Sequence, residues 1–409
     1  MKIVWISHSQ KLGGAERSLC EAVAGITACG HEVMVIVPLD GELSGPLQRA
    51  GAQVTVIPSR WWVHSKEEPF SVLLWMHKLV SHLRAAFKLC RFLQQVRPDV
   101  VVTNTLTVAT GAAAAKVLGL PHVWYIHEFG WEDHGLRFDL GHYRSWRLIN
   151  RWSDRIIVNS RAMLSHFQKR LSRSKVRLAY YSVEMPSLTG EEARQILLKD
   201  NVLHGESSHV PPVEDRRCQL LLMGQLVPGK RQGDAIQALA QLRSRSIDVQ
   251  LTLIGSEHNA GYSIQLRRLV TELSMEDYVT FLPFTEHPAR YLAASDIVLL
   301  CSAQEAFGRV TVEAMKLGKP VVGTERAGTL DLIEEGERGF LYPVGDVKTL
   351  AAKLEILCCD ADLRQSMGRN AQDWALRTFN TDVYATELLS IFEEACSHHR
   401  TSRRRASSA

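Results

Sequence analysis

Residues 304–322 read QEAFGRVTVEAMKLGKPVV and follow the short apolar run Ile297–Leu300. The run reads as a buried strand. Gly308 reads as the turn that opens a helix, and Pro320-Val321-Val322 restarts an extended segment. A strand, a turn, a helix and a second strand within about 26 residues make a βαβ unit, which requires a parallel sheet. Glu305 lies in the loop before the helix and Glu313 on its second turn, so the two carboxylates bracket the helix start. Free N–H groups and the helix dipole there suit a phosphate, and a carboxylate accepts hydrogen bonds from sugar hydroxyls. Gly308 lets backbone approach a ligand.

The same alternation extends in both directions. Upstream of about residue 185 the extended segments are Lys2–Ile6, Glu32–Val37, Gln53–Ile57, Asp99–Val102, His122–Ile126, Arg155–Val158 and Val176–Ala179, with helical stretches between them. Downstream they are Gln219–Met223, Gln250–Ile254, Val279–Leu282, Ile297–Leu300 and Val321–Val322. This predicts an α/β protein of two Rossmann-like, doubly wound domains, expected at 1–185 and 186–375. Residues 186–216 read as a linker region, because NVLHGESSHVPPVEDRR is rich in Pro, Gly, Ser and charge. A helix over 376–398 is expected to return to the first domain, and 399–409 to be a basic disordered tail.

Composition narrows the class. The 409 residues are 45% hydrophobic and 22% charged, which excludes disordered and collagenous chains. The eight Cys form no CxxC pair, which fits reduced thiols in a cytoplasmic protein. No basic-then-apolar leader opens the chain, and no run of about 18 apolar residues occurs. Charge divides unevenly. Residues 1–185 hold 23 Lys+Arg against 14 Asp+Glu, and 186–399 hold 21 against 30. A basic first half points to an anionic partner.

The 304–322 stretch resembles the Glu-x7-Glu signature of the retaining glycosyltransferases of family 4, which have the GT-B fold. Gly13-Gly14-Ala15-Glu16-Arg17 resembles that family's glycine-rich first loop. Gly224-Gln225-Leu226-Val227-Pro228-Gly229-Lys230 resembles its G-R-L-x-x-x-K segment, and Gly339–Leu341 with Val344–Asp346 its closing strand and loop. The resemblance implies an N-terminal acceptor domain and a C-terminal domain that binds a nucleotide-diphosphate sugar as co-substrate. It implies transfer of a hexosyl group with retention, by front-side attack in which the donor phosphate takes the acceptor's proton. Glu305 would contact the transferred sugar, Glu313 the ribose hydroxyls, Lys230 the diphosphate, and backbone at Phe307 and Gly308 would steady sugar and phosphate. His127, beside Glu128 at the end of the His122–Ile126 strand, would face the sugar; His8 has a similar but weaker position.

Lys230 suits the part, because the leaving diphosphate gains negative charge as the glycosidic bond breaks. Gln225 stands where the family has Arg. That substitution weakens the phosphate grip of the Gly224 loop or moves it to Arg231. Gly13 and Gly14 at the first strand-to-helix turn allow positive φ and close approach of phosphate or acceptor. No G-x-G-x-x-G, HExxH or EF-hand pattern occurs, so neither a nicotinamide cofactor nor a bound metal is expected.

Residues 71–97 hold five Lys/Arg and no acid, and Leu73, Met76, Val80, Leu83, Phe87 and Cys90 recur at helical spacing, with Trp61, Trp62 and Trp75 nearby. Residues 142–177 add ten Lys/Arg against Asp154 alone. Such a helix either packs its apolar stripe on the sheet or lies on an anionic membrane. An acceptor that is a cell-surface glycan or a lipid-linked saccharide fits the second case. Three competing functions remain. A sugar-nucleotide epimerase shares the architecture, a non-catalytic sugar-nucleotide binder would tolerate Gln225, and a nucleic-acid binder would use the basic half but has no RNA-binding motif.

Overall fold

The computed structural model describes residues 1–65, 72–204, 217–257 and 259–407. Of the expected linker region 186–216, Gly190–His204 is helical and 205–216 lie outside the described residues, as do the side chains of Leu73, Trp75 and Met76. The chain forms two compact units: Met1–Val183 with Phe379–Ala409, and Glu184–Thr378.

The first unit runs β1 (Lys2–Ile6), α1 (Gly14–Ala28), β2 (Glu32–Val37), α2 (Ser44–Arg49), β3 (Gln53–Val56), β4 (Val63–Ser65), α3 (Val72–Val96), β5 (Val100–Asn104), α4 (Thr110–Leu118), β6 (His122–Ile126), α5 (Trp131–His134), β7 (Leu136–Phe138), α6 (His142–Trp152), β8 (Arg155–Val158), α7 (Arg161–Phe167) and β9 (Val176–Leu178). Seven strands form one parallel sheet in the order β3-β2-β1-β5-β6-β8-β9. Central strands such as Val100–Asn104 are buried throughout, as a sheet covered on both faces requires. The chain order reverses at β1 and β5. Two helix ends of this unit show how local chemistry closes them. Gly119 ends α4 in the left-handed region (φ 62°), and the Ser160 side chain accepts from the Met163 N–H at the start of α7.

The strands β4 and β7 form an antiparallel ribbon apart from the main sheet, which the sequence pattern did not announce. Three-residue strands carry too little periodicity to register.

Helix α3 also departs from expectation. On its inward side Ala85, Leu89 and Leu93 are buried, and Leu89 and Leu93 pack with Val4, Ile6, Ile36 and Val101. Of the stripe read as packing on the sheet or lying on a membrane, Val80, Leu83 and Phe87 point outward and are exposed, which overturns the sheet alternative for these three, whereas Cys90 is half-buried against the core.

The second unit runs α8 (Gly190–His204), β10 (Cys218–Met223), a 3-10 turn Pro228–Lys230, α9 (Gln232–Ser244), β11 (Val249–Ile254), α10 (Ala260–Glu272), β12 (Val279–Leu282), α11 (Pro288–Ala294), β13 (Ile297–Leu300), α12 (Arg309–Lys316), β14 (Val321–Thr324), α13 (Thr329–Leu332), β15 (Gly339–Tyr342), α14 (Val347–Cys359) and α15 (Ala361–Thr378). Its parallel sheet has the order β12-β11-β10-β13-β14-β15. Leu220, Leu222, Leu251, Leu253 and Leu299 meet Leu239, Leu350 and Leu354 in its core. Here the order reverses between β10 and β13, where open α/β sheets hold their ligands.

The last helix, α16 (Thr381–Ser407), belongs to the first unit. Phe392 meets Trp5 edge-on at 5.9 Å, and the Tyr384 hydroxyl lies 2.9 Å from that of Tyr125. A Cβ on Gly25 would stand 2.8 Å from the Ala385 Cβ, so glycine sets how closely α1 and α16 approach. The expected disordered tail over 399–409 is corrected, because the helix continues to Ser407. His398 and His399 each reach Asp154 at 3.0 Å, and Arg403 donates to the Gly119 carbonyl at 3.1 Å. These partners are distant in sequence, so composition alone read the segment as a free end.

Candidate active site

In the second unit the loops after β10 and β13 bring Lys230 and Glu305 into direct contact, Nζ to Oε1. Ser302 Oγ donates to the same oxygen at 2.6 Å. The two loops are tied by the backbone, with Ala303 N–H donating to the Gly229 carbonyl at 2.8 Å. The Lys230 stem lies along Gly224, where a Cβ would sit 3.7 Å from its Cδ and Cε. Glycine is stricter at 255, where a Cβ would overlap the Gly224 carbonyl oxygen. Lys230 is about one-third exposed and Glu305 14% exposed, so the pair is shielded on most sides yet open to a ligand.

Gly308 caps α12 in the left-handed region at φ 92°, which favours glycine. The preceding Ala306-Phe307 backbone lies on Gly328, where a Cβ would stand 2.5 Å from the Ala306 carbonyl oxygen, and Gly328 N–H donates to the Glu305 carbonyl at 2.9 Å. The Phe307 side chain is buried. One turn into α12, Glu313 is buried with Arg309 Nε 3.6 Å from its Oε1. The α12 N-terminus therefore stands between a loop carboxylate held by a cation and a helix carboxylate held by another.

Gln225 is exposed at the side chain, and its carbonyl accepts from Gln232 Nε2 at 2.8 Å. Arg231 is held by Asp234 through two bonds of 2.7 and 3.0 Å, and the Asp234 carboxylate holds the guanidinium above its ordinary pKa. Its charge is thus largely matched before any ligand arrives. Ser302, Asp234 and Gly328 escaped the sequence reading. Ser302 stands two residues past a strand, but nothing in the local pattern marks which side chain turns toward Lys230.

In the first unit His127 ends β6 with both ring nitrogens engaged. Nε2 lies 2.6 Å from Asn104 Oδ1, and Nδ1 contacts the Tyr181 hydroxyl, which accepts from Asn159 Nδ2 at 2.5 Å. A donor at Nε2 makes Nδ1 the acceptor, so the ring is neutral with its proton committed to Asn104. Burial, and then His8, push its pKa down to about 3. As placed, His127 orients Asn104 and Tyr181 rather than offering a free nitrogen. Glu128 accepts from the N–H groups of Leu106 (2.6 Å) and His127 (3.2 Å), and burial raises its carboxyl to about 8.

The glycine-rich loop is arranged differently from expectation. Gly13 has φ −95°, not a positive value. What it supplies is lateral room, because its N–H donates to Glu16 Oε2 at 3.2 Å and a Cβ would sit 2.8 Å from that oxygen. Gly14 begins α1. The Glu16 carboxyl thus fills the place a phosphate would take at this helix start, with His8 Nδ1 3.0 Å from its Oε1. Burial raises Glu16 to about 7 and lowers His8 to about 4. The Gly-x-x-Glu spacing of a helix-capping pair was the available signal.

Beyond β5 and β6 opens a cavity of about 750 Å³, walled by the β4–β7 ribbon, α5 and α6. Phe129, Trp131, Phe138 and Trp146 line it, and the Arg137 guanidinium lies 5.1 Å over the Trp131 ring. Arg170 stands on its rim, 3.2 Å from Glu132.

Residues 13–182 match the glycosyl transferase 4-like domain, and residues 206–374 match glycosyl transferases group 1. This places the chain among the two-domain glycosyltransferases of the group 1/4 type, with the GT-B fold. The Bacillus anthracis N-acetyl-alpha-D-glucosaminyl L-malate synthase is 34% identical over 163 residues, 40% of this chain and 42% of the relative. The Jonesia denitrificans D-inositol 3-phosphate glycosyltransferase is 27% identical over 207 residues, 46% of this chain and 49% of that one. The chain therefore spans less than half the length of these two curated relatives. Among solved structures, Anabaena HepE in complex with UDP and glucose aligns over 96% of this chain and 99% of its own, at TM-score 0.76 and 24% identity. WaaG, a glycosyltransferase of lipopolysaccharide biosynthesis, aligns over 95% of this chain and 98% of its own at TM-score 0.66 and 18% identity.

Proposed function

We propose that this protein transfers a hexosyl group, with retention, from a nucleotide-diphosphate sugar to a saccharide acceptor. The observation that carries the reading is the contact of Lys230 with Glu305 at the β10/β13 switch point, beside the Gly308-capped start of α12. The family match supports the reaction class, and the UDP and UDP-glucose complexes of HepE supply the donor to try first.

In this reading the diphosphate draws Lys230 away from Glu305, and the ammonium stabilises the charge that grows on the leaving group. The α12 N-terminus and the Phe307-Gly308 backbone face the donor. Glu305, released from Lys230 but still held by Ser302, accepts from hydroxyls of the transferred sugar, and Glu313 accepts from the ribose. The neutralisation is assigned to Lys230, not to a metal, so transfer should persist in EDTA. Retention follows from front-side attack, in which a donor phosphate oxygen takes the acceptor's proton. The aromatic cavity of the first unit is assigned to the acceptor, its rings stacking on pyranose faces and Arg137 bonding to oxygen atoms. His127 acts as a positioning residue through Asn104 and Tyr181.

The test incubates the purified chain with UDP-glucose and a panel of saccharide acceptors, and follows UDP release with the anomeric configuration of the product. An α-linked product from the α-linked donor supports the reading. Conversion of the donor to an epimer without acceptor would replace it with an isomerase, and donor binding without UDP release would replace it with a binder.

A further inference from the structure

The second unit gathers three cations at the edge of its sheet opposite the Lys230–Glu305 pair. Asp296 stands just before β13 and Lys319 just before β14, whereas Glu305 follows β13. The length of a four-residue strand, about 13 Å, separates the two edges. Arg194 reaches this edge from α8 and Arg364 from α15. Arg194 Nη2 lies 4.0 Å and Arg364 Nε 3.9 Å from Asp296 Oδ1, while Oδ2 accepts from the Gln219 N–H at 2.9 Å. Lys319 Nζ lies against Gly190, where a Cβ would stand 3.6 Å from it. Among the described residues, the charges that act on this ammonium are Asp296, Arg194 and Arg364. Three positive charges against one negative leave an excess of two.

The cluster differs from a settled ion-pair network in two ways. Its contacts with Asp296 are long, because a charge-assisted pair closes to about 2.7–2.9 Å and both guanidinium nitrogens stand well beyond that. Among the described residues each guanidinium gives one of its five donors to a carbonyl, Arg194 to Ala294 at 3.4 Å and Arg364 to Leu357 at 2.7 Å. The cations are also confined. Burial pushes the Lys319 ammonium down to about 8, Asp296 opposes that, and the two guanidiniums add to it. Holding like charges together out of water costs stability unless an anion joins them. The way in is open, since the Arg194 side chain is 35% exposed.

We infer that this edge of the second unit is a phosphate-binding site, in which Arg194, Lys319 and Arg364 bond to the oxygens of a phosphate dianion. A dianion matches the excess of two positive charges, which a carboxylate would only halve. Guanidinium forks fit pairs of phosphate oxygens, and the ammonium adds a point charge. The ligand is inorganic phosphate or the phosphoryl end of a small phosphomonoester, whose substituent would leave along the exposed side of Arg194. The inference is independent of the transfer chemistry, because none of these residues belongs to the Lys230–Glu305 site or to the aromatic cavity.

The experiment is equilibrium dialysis of the full chain against radiolabelled inorganic phosphate at constant ionic strength. Saturable binding is expected in the wild type, and it should persist in Lys230→Ala, which lacks the cation of the proposed donor site. On that background Lys319→Gln, and separately Arg194→Gln, should each weaken binding by at least about 10-fold, the scale of one charge-assisted hydrogen bond. Arg194 is more exposed than Arg364, so its variant carries the test if Lys319→Gln does not fold. Arg245→Gln with Arg267→Gln, which removes two exposed cations elsewhere on the unit, should leave binding intact. Affinity should also fall as pH rises from 7.5 to 9, where Lys319 releases its proton while phosphate stays a dianion. Displacement of the label by glucose 6-phosphate extends the site to phosphomonoesters, and failure to displace confines it to inorganic phosphate. No binding by Lys230→Ala, unchanged affinity in both Lys319→Gln and Arg194→Gln, a flat pH profile, or loss with Arg245→Gln and Arg267→Gln would each overturn the inference.

Discussion

At the scale of single residues, the pairing of Lys230 with Glu305 makes separable demands on each partner. Lys230→Ala should reduce kcat/KM for transfer from UDP-glucose by the ~2–4 kcal/mol of one preorganised charge contact, about 30- to 1000-fold. Glu305→Gln should lower kcat more than it raises the donor KM, because Gln cannot hold Lys230 in place nor accept at both oxygens. Glu313→Ala should act chiefly on the donor KM. Steady-state kinetics over a donor series separates the three, and near-wild-type kcat/KM in all of them would reject the site. Arg231 adds a contrast. Since Asp234 already binds it through two bonds, Arg231→Gln should weaken donor binding less than Lys230→Gln does.

At the scale of elements, glycine positions decide how closely loops and helices approach. Gly255→Ala places a methyl against the Gly224 carbonyl, and should destabilise the second unit by at least the ~1–3 kcal/mol typical of overpacking. Gly25→Leu should instead act on the first unit, by forcing α16 off α1 near Ala385. Proteolysis should then release the α16 segment at lower denaturant than in the parent chain. If Gly25→Leu leaves both melting and cleavage unchanged, α16 is not held by that contact.

At the scale of the whole molecule, buried titratable groups tie stability to pH. The folded pKa values of Glu16 and Glu128, about 7 and about 8, lie above their ordinary 4.5. The folded state then holds those protons longer than the unfolded state, so each group makes stability fall as pH rises between its two values. For His8, His122 and His127 the folded values, about 4, 3 and 3, lie below 6.5, so these groups make stability rise with pH up to about 6.5. Between pH 6.5 and 8 only the carboxyls among these five still titrate, and the melting temperature should decline there. Glu128→Gln should flatten that decline while leaving the acid limb in place. A wild-type profile that keeps rising from pH 6.5 to 8 would contradict the burial of both carboxyls.

What the sequence determined by itself was whatever depends on neighbours along the chain. Apolar runs alternating with helical periods specified two parallel sheets, because a strand buried on both faces must be apolar throughout. The Gly308 turn between Glu305 and Glu313 was legible because a helix start after a strand fixes what lies near it. Tertiary structure decided what depends on contacts across the chain. Lys230 meets Glu305 because β10 and β13 are sheet neighbours, which a separation of 75 residues conceals. His127 is neutral because burial disfavours its charged form, with Asn104 and Tyr181 closing on its ring from other strands' ends, and a histidine after a strand reads the same in either state. The chain end is helical because Asp154 and Gly119 receive it. The two apolar faces of α3 both show helical spacing. Only the sheet beneath Leu89 and Leu93 decides that Leu83 and Phe87 are left facing water, since periodicity gives the faces of a helix but not the surface that each one meets.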